Sequence, residues 1–164
     1  MRVGLISDTH GLLRPEALDF LAGADHIVHG GDIGSPDILE RLVAIAPLTV
    51  VRGNNDTAPW ARAIPETARV EVGNVALYAI HDLKALDIDP RAAGVRVVVS
   101  GHSHRPACTE RDSVLYVNPG SAGPRRFRLP ISVATLTIDA SRVDVGFATL
   151  DVAAATTRNA VRHD

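Results

Sequence analysis

The chain has 164 residues, enough for one domain with a buried core, and 46% hydrophobic against 22% charged residues is ordinary for a globular protein. Its 17 basic and 19 acidic side chains leave a net charge of −2, which gives no basic footprint for nucleic acid and no polybasic membrane patch. The lone cysteine, Cys108, excludes an internal disulfide, and the apolar run after Arg2 is too short for a signal peptide or a membrane span, so a cytoplasmic protein is expected.

In chain order, residues 1–7 read as a short buried strand that runs into Ser7-Asp8-Thr9-His10-Gly11. Pro15 opens a helix over Pro15–Leu21, with Ala17, Leu18 and Leu21 on one face, and Gly23 stops it. A second strand, His26–His29, leads into Gly30-Gly31-Asp32. Ser35-Pro36 then reads as N-cap and first helical position, with Ile38, Leu39, Leu42 and Val43 as the apolar stripe. A third strand over 48–51 runs into Arg52-Gly53-Asn54-Asn55-Asp56. Repeated strand–turn–helix units imply parallel strands with right-handed crossovers.

After residue 56 the pattern changes. Gly73-Asn74 between apolar runs at 68–72 and 75–80 signals a two-residue hairpin whose second strand ends at His81-Asp82. A weak helix is expected over 83–93, limited by Pro90. The apolar strand 95–99 precedes Ser100-Gly101-His102-Ser103-His104. A further hairpin joins 107–110 to 114–117, and Asn118 to Pro124 form a rigid loop. Strands over 131–138 and 143–150 alternate as an antiparallel pair. Residues 1–150 are read as the domain and 151–164 as a tail without assigned function.

Five strand ends carry side chains able to bind metal: Asp8 with His10, Asp32, Asn54, His81, and His102 with His104. The members of each two-apart pair would point the same way if the backbone were extended. Imidazole, carboxylate and carboxamide oxygen together suit Mn²⁺, Zn²⁺, Fe or Ni²⁺, and no thiolate is among them. Seven candidates exceed one tetrahedral site and fit two ions that share a carboxylate, a pair that at ~3.5–4 Å suits in-line phosphoryl displacement.

In these pieces the chain resembles the calcineurin-like metallophosphoesterases, in particular their small single-domain prokaryotic phosphodiesterases. The matching residues are Asp8-Thr9-His10, Gly31-Asp32, Gly53-Asn54-x-Asp56, His81, Gly101-His102-Ser103-His104, Asn118-Pro119-Gly120-Ser121 and Pro124-Arg125. The resemblance implies a four-layer α-β-β-α sandwich with its site on one rim. It assigns Asp8, His10 and His104 to a first metal and Asn54, His81 and His102 to a second. Asp32 would bridge both, together with a water or hydroxide that attacks phosphorus. Mn²⁺ is the expected ion, with Ni²⁺, Fe²⁺ and Zn²⁺ also fitting, and a small phosphate ester is the expected substrate. Relatives are often dimers or larger, which suggests a homo-oligomer.

Asp32, Asn54, Asn55 and Asp56 form the expected catalytic group, with Asp56 orienting Asn54 or Asn55 or serving as a plain turn residue. Arg125, with Arg126 beside it, is the candidate contact for substrate phosphate, or caps a surface loop. His29 is a candidate to orient Asp32 from behind, and Cys108 is read as packing. Two departures from the family stand out. Asn55 occupies the position where many members carry a histidine that assists the leaving group, and Asp82-Leu83 stand where relatives have glycine and histidine. Other readings of the same chain are a protein-interaction scaffold of the same fold and a phosphomonoesterase or nucleotide hydrolase.

Overall fold

The computed structural model describes residues 1–150 and residue 152. The tail expected over 151–164 lies, apart from Val152, outside the described residues. Ten strands form two five-stranded sheets. The first, in the order β10-β9-β1-β2-β3, contains β1 (Arg2–Ile6), β2 (His26–His29), β3 (Leu48–Val50), β9 (Ser132–Asp139) and β10 (Arg142–Thr149). The second, in the order β4-β5-β6-β8-β7, contains β4 (Thr67–Val72), β5 (Val75–Ile80), β6 (Val97–Val99), β7 (Ala107–Arg111) and β8 (Val114–Asn118). Both sheets are mixed. β1, β2 and β3 run parallel, as do β5, β6 and β8, while hairpin partners flank each trio antiparallel.

Strand alternation sorts the apolar residues into three packed zones. Val3 and Leu5 of β1, Val28 of β2 and Leu136 of β9 face Leu77, Val97, Val99 and Val117 across the space between the sheets. On the outer face of the first sheet, Ile6 and Ile27 meet Ala17 and Leu21 of α1 (Pro15–Leu21) and Ile38 and Leu42 of α2 (Pro36–Val43). Gly4 makes the approach of α1 feasible, because a Cβ there would lie 2.3 Å from a Leu21 methyl. On the outer face of the second sheet, Tyr78, Ile80 and Val98 are covered by Leu83, Leu86 and Ile88.

That last cover corrects one expectation. Instead of a helix over 83–93, the chain makes a single 3₁₀ turn, Leu83–Ala85, capped by the Asp82 carboxylate accepting the Lys84 N–H at 3.0 Å. Pro90 disfavours helical backbone at Asp89, and the segment then closes in tight turns at 89–95. The fourth layer is therefore thin, and it leaves a depression next to the sheet rim. A second difference concerns Cys108, which is exposed on the edge strand β7 and not packed. Among the described residues, no helix is long and apolar enough to cross a membrane.

The topology sets the site. Two parallel trios place six strand ends at one rim, and those ends carry Asp8, Asp32, Asn54, His81, His102 with His104, and Asn118. The rims of the two sheets abut. The His81 imidazole reaches the Gly30 carbonyl at 2.7 Å, and the His102 N–H donates to the Asp8 carboxylate at 3.2 Å.

Candidate metal centre

The candidate ligands stand on unusual backbone. Asp8, His10, Asp32, His102 and His104 have φ of 53°, 46°, 54°, 67° and 59°, all in the left-handed region. Such a conformation costs a non-glycine residue roughly 1–2 kcal/mol. Hydrogen bonds between loops impose it: the N–H groups of Asp8, His10 and Gly11 donate to the carbonyls of Gly31, Asp32 and Ile33 at 3.0, 2.9 and 2.8 Å. The two loops thus continue the parallel pairing of β1 with β2 past the strand ends. Neither two-apart pair is extended, so the expected common direction fails for the second of them. His104 joins Asp8 and His10, whereas His102 turns to Asn54.

Two groups of ligand atoms result. In the inner group, His104 Nε2 lies 3.3 Å from Asp8 Oδ1 and 3.3 Å from His10 Nε2. In the outer group, Asn54 Oδ1 lies 3.1 Å from His81 Nε2 and 3.1 Å from His102 Nδ1. Asp32 Oδ2 touches both, at 3.7 Å from His10 Nε2 and 3.4 Å from His81 Nε2.

The polar atoms here fit a cation. Asp8 Oδ1 is buried and accepts no hydrogen bond, a costly arrangement for a carboxylate unless a positive charge faces it. The Asp8, His10 and His104 ligand atoms lie within 4.8 Å of one another, as do those of Asp8, Asp32 and His81. His81 donates its Nδ1–H to the Gly30 carbonyl, so its Nε2 faces the acceptors Asp32 and Asn54. Only a proton or a metal ion on Nε2 reconciles those three atoms. Burial lowers the His81 pKa, but the hydrogen bonds to Asp32 and Gly30 outweigh it and hold the value above the ordinary one. Burial likewise opposes ionisation of Asp32, yet hydrogen bonds from His81 and from the Asn55 N–H keep its carboxyl well below the usual carboxylate range. Burial lowers the pKa of His10, which favours the neutral imidazole that ligates metal.

Several surrounding residues act through the backbone. Asp56, expected in the catalytic group, is buried, and its carboxylate accepts the N–H groups of Ile33, Gly34 and Gly53 at 2.9, 3.0 and 2.9 Å. Among the described residues no hydrogen bond joins that carboxylate to the Asn54 or Asn55 side chain, so it braces two ligand turns and does not orient either amide. Asn55 holds Asp32 directly, with its N–H on Oδ1 at 2.9 Å and its Nδ2 on Oδ2 at 2.8 Å. His29 is fully buried between turns: Thr9 donates its hydroxyl to the Ile33 carbonyl and accepts the His29 Nε2–H, and the Gly31 N–H donates to Nδ1. Burial pushes the His29 pKa down to about 4, so the ring is neutral.

Arg125 is exposed and its guanidinium leans 3.5 Å from the Leu129 carbonyl of its own loop. The charge that acts on His10 belongs instead to Arg126. Sequence reasoning gave no role to Ser7, Ser121 or Asn118. Ser7 donates to Asp8 Oδ2 at 2.6 Å, Ser121 donates to the Asp8 carbonyl at 2.9 Å, and Asn118 Nδ2 ties Gly101 to Ser103 at 2.7 and 3.0 Å. The available signal was position for Ser7, directly after an apolar strand, and for Asn118 and Ser121 the Asn118-Pro119-Gly120-Ser121 stretch that carries the family resemblance. A cavity of about 350 Å³ opens beside the outer group, bounded by Asn54, His81, His102, Glu66 and Asp82. Asp82, one of the departures, lies 3.9 Å from His102 Nε2.

Imidazoles, carboxylates and a carboxamide gathered at the rim of a two-sheet α/β fold have the chemistry of a metal-dependent hydrolase. Residues 1–141 match the calcineurin-like phosphoesterase superfamily domain, and this chain belongs to that family. A probable metallophosphoesterase of Methanothermobacter thermautotrophicus is 36% identical over 155 residues, covering 88% of this chain and 90% of that one. Phosphodiesterase YfcE of Escherichia coli K12 is 28% identical over 169 residues, covering 85% and 89%. Among solved structures, Vps29 of Chaetomium thermophilum superposes with a TM-score of 0.75 at 18% identity, covering 92% and 98%, a likeness of fold. The protein is thus a phosphoesterase of a family that uses divalent metals, and its rim carries candidate ligands for them.

Proposed function

We propose that the chain is a dinuclear metal-dependent phosphodiesterase. The observation that carries this reading is the position of Asp32, one of whose oxygens faces an imidazole of each ligand group. Asp8, His10 and His104 would hold one cation, Asn54, His81 and His102 the other, and Asp32 both. Two divalent cations so held supply a water acidic enough to attack phosphorus near neutral pH and offset charge on the phosphate oxygens. Mn²⁺ suits the carboxylate and carboxamide oxygens of this mixed donor set, and its four imidazoles also fit Ni²⁺, Fe²⁺ and Zn²⁺. The chain's own part is positioning. Asn55 fixes the Asp32 carboxylate, Ser7 and Ser121 fix Asp8, and the cavity beside His102 leaves room for one arm of a diester.

Asn55 can donate a hydrogen bond but holds no proton to give a departing alkoxide near neutral pH. Aryl diesters, whose phenolates leave unaided, should therefore turn over faster than alkyl diesters, and equal rates would count against this role for Asn55. The reading itself is tested on metal-stripped protein with Mn²⁺ added back, using bis-p-nitrophenyl phosphate beside the monoester p-nitrophenyl phosphate. Diester turnover that needs metal, exceeds monoester turnover and vanishes in Asp32→Asn supports it. Folded protein that hydrolyses neither ester with any of the four metals would count against it and favour the scaffold reading instead. A scaffold has no use for the ligands, yet all seven positions here carry one.

A further inference from the structure

The segment after Gly123 carries an unused feature. Gly123 packs directly on the inner ligand loop, where a Cβ would lie 2.3 Å from the Thr9 carbonyl oxygen and 2.6 Å from that of Asp8. Arg14 fixes the same point by donating to the Gly123 carbonyl at 3.2 Å. Four residues later stands Phe127, within about 15 Å of Gly123 however the chain runs, since consecutive Cα atoms are 3.8 Å apart. It occupies the second position of a tight turn closed by the Leu129 N–H donating to the Arg126 carbonyl at 3.2 Å.

Phe127 is the wrong residue for folding in this place. Its φ is 53°, a conformation that turns of this kind give to glycine, asparagine or aspartate. The residue is 92% exposed, more than any other large apolar residue described. The residue therefore costs the fold backbone strain and returns no burial, and strain kept at the edge of a site points to use there. Arg126 and Arg128 flank the ring on the same exposed turn.

We propose that Phe127 is a stacking platform for an aromatic base on the substrate, with Arg126 beside it drawing in the phosphate, so that the substrate class is a nucleoside phosphodiester. Every base offers a π face, and loss of one aromatic partner weakens binding by an amount that corresponds to roughly tenfold. The inference rests on the phosphodiesterase reading, and the test separates the two. Metal-loaded protein is assayed on thymidine 5′-p-nitrophenyl phosphate and on methyl p-nitrophenyl phosphate, which share a leaving group and differ in the nucleoside. In Phe127→Ala, KM for the thymidine ester should rise about tenfold while kcat and the KM for the methyl ester stay within twofold. Phe127→Tyr should behave as the unmodified chain. Equal, unchanged KM values in Phe127→Ala overturn the proposal. So does conversion of a dimer to a monomer in sedimentation without a KM change, since the ring would then be a contact between copies. If neither ester is hydrolysed, the phosphodiesterase reading fails, and calorimetry with thymidine 5′-monophosphate decides the platform. Binding that Phe127→Ala abolishes supports it, and binding that is absent or indifferent to the ring overturns it.

Discussion

The inner and outer ligand groups differ in how they are built. The side chains of Asp8, His10 and His104 are 0%, 14% and 6% exposed, all three residues have left-handed backbone, and the N–H groups of Asp8 and His10 donate to the neighbouring Gly31–Asp32 loop. In the outer group only His81 is buried; Asn54 is exposed, and the His102 side chain is 47% exposed beside an open cavity. The inner group is thus assembled when the sheets fold, with the orphaned Asp8 oxygen already in place. The outer group depends on two side chains, Asn54 and His102, that face water. A cation bound to preorganised, desolvated ligands meets a smaller ordering cost and a stronger field. In the proposed centre the inner ion would therefore be resident, and the outer one would exchange.

The largest effect expected from this asymmetry lies in paired ligand deletions. His104→Ala should lower diester turnover by more than the ~100-fold that loss of an outer-shell partner costs, with no rescue by excess Mn²⁺. His102→Ala should lose activity at low Mn²⁺ and regain most of it at high Mn²⁺. Similar rescue of both variants, read from Mn²⁺ activation curves, would remove the distinction between the groups.

Asp56 sharpens the same contrast from below. It braces the Ile33 and Gly53 N–H groups, both buried, and so supports the turns that carry Asp32 and Asn54. Asp56→Ala should lower unfolding stability in urea by at least about 3 kcal/mol, because buried donors lose a charged acceptor. Unchanged stability would show that water replaces the carboxylate. Asp56→Asn should recover part of the loss.

A smaller effect appears with pH. The folded-state pKa of His29 is about 4, against an ordinary 6.5. As pH falls, the unfolded chain takes up the proton first, so the stability from a neutral buried ring is full above pH 6.5 and lost towards pH 4. The total is about 3 kcal/mol, of which roughly half is gone near pH 5. His10 and His26 shift in the same direction through burial and add to the slope. Asp32, held low, contributes above the ordinary carboxylate value and loses its share only below that, while His81, raised, gives stability that is full below pH 6.5 and is lost as pH rises above it, outside this window. Urea midpoints of metal-free protein between pH 6.5 and 4 should fall less steeply for His29→Gln than for the unmodified chain. Parallel slopes would contradict the buried neutral ring.

What could be read in advance was the rhythm of apolar strand followed by polar residue, and the Gly73-Asn74 hairpin that marks the change from parallel units to paired strands. Those features placed both sheets and collected the candidate ligands at one rim. The direction of each ligand was not readable from its spacing. The backbone of His102 is tied to the Asp8 carboxylate, 94 positions earlier, and both His102 and His104 are left-handed, not extended, so alternation gave the wrong common direction. Asp56 looked like a turn residue near two amides, but its carboxylate binds backbone groups, Gly53 in its own turn and Ile33 and Gly34 more than twenty positions earlier. The 83–93 segment looked helical by its leucines, and Pro90 with the aspartates before it ended the helix after one 3₁₀ turn. The same distance from local rules explains Phe127, whose conformation no turn propensity would have chosen.

The most direct test is calorimetric titration of Mn²⁺ into metal-free protein, repeated on His102→Ala. Two sites of unequal affinity in the unmodified chain, with only the tighter one kept in the variant, are the outcome this account expects. A single site that is indifferent to His102, or no uptake at all by folded protein, would contradict it.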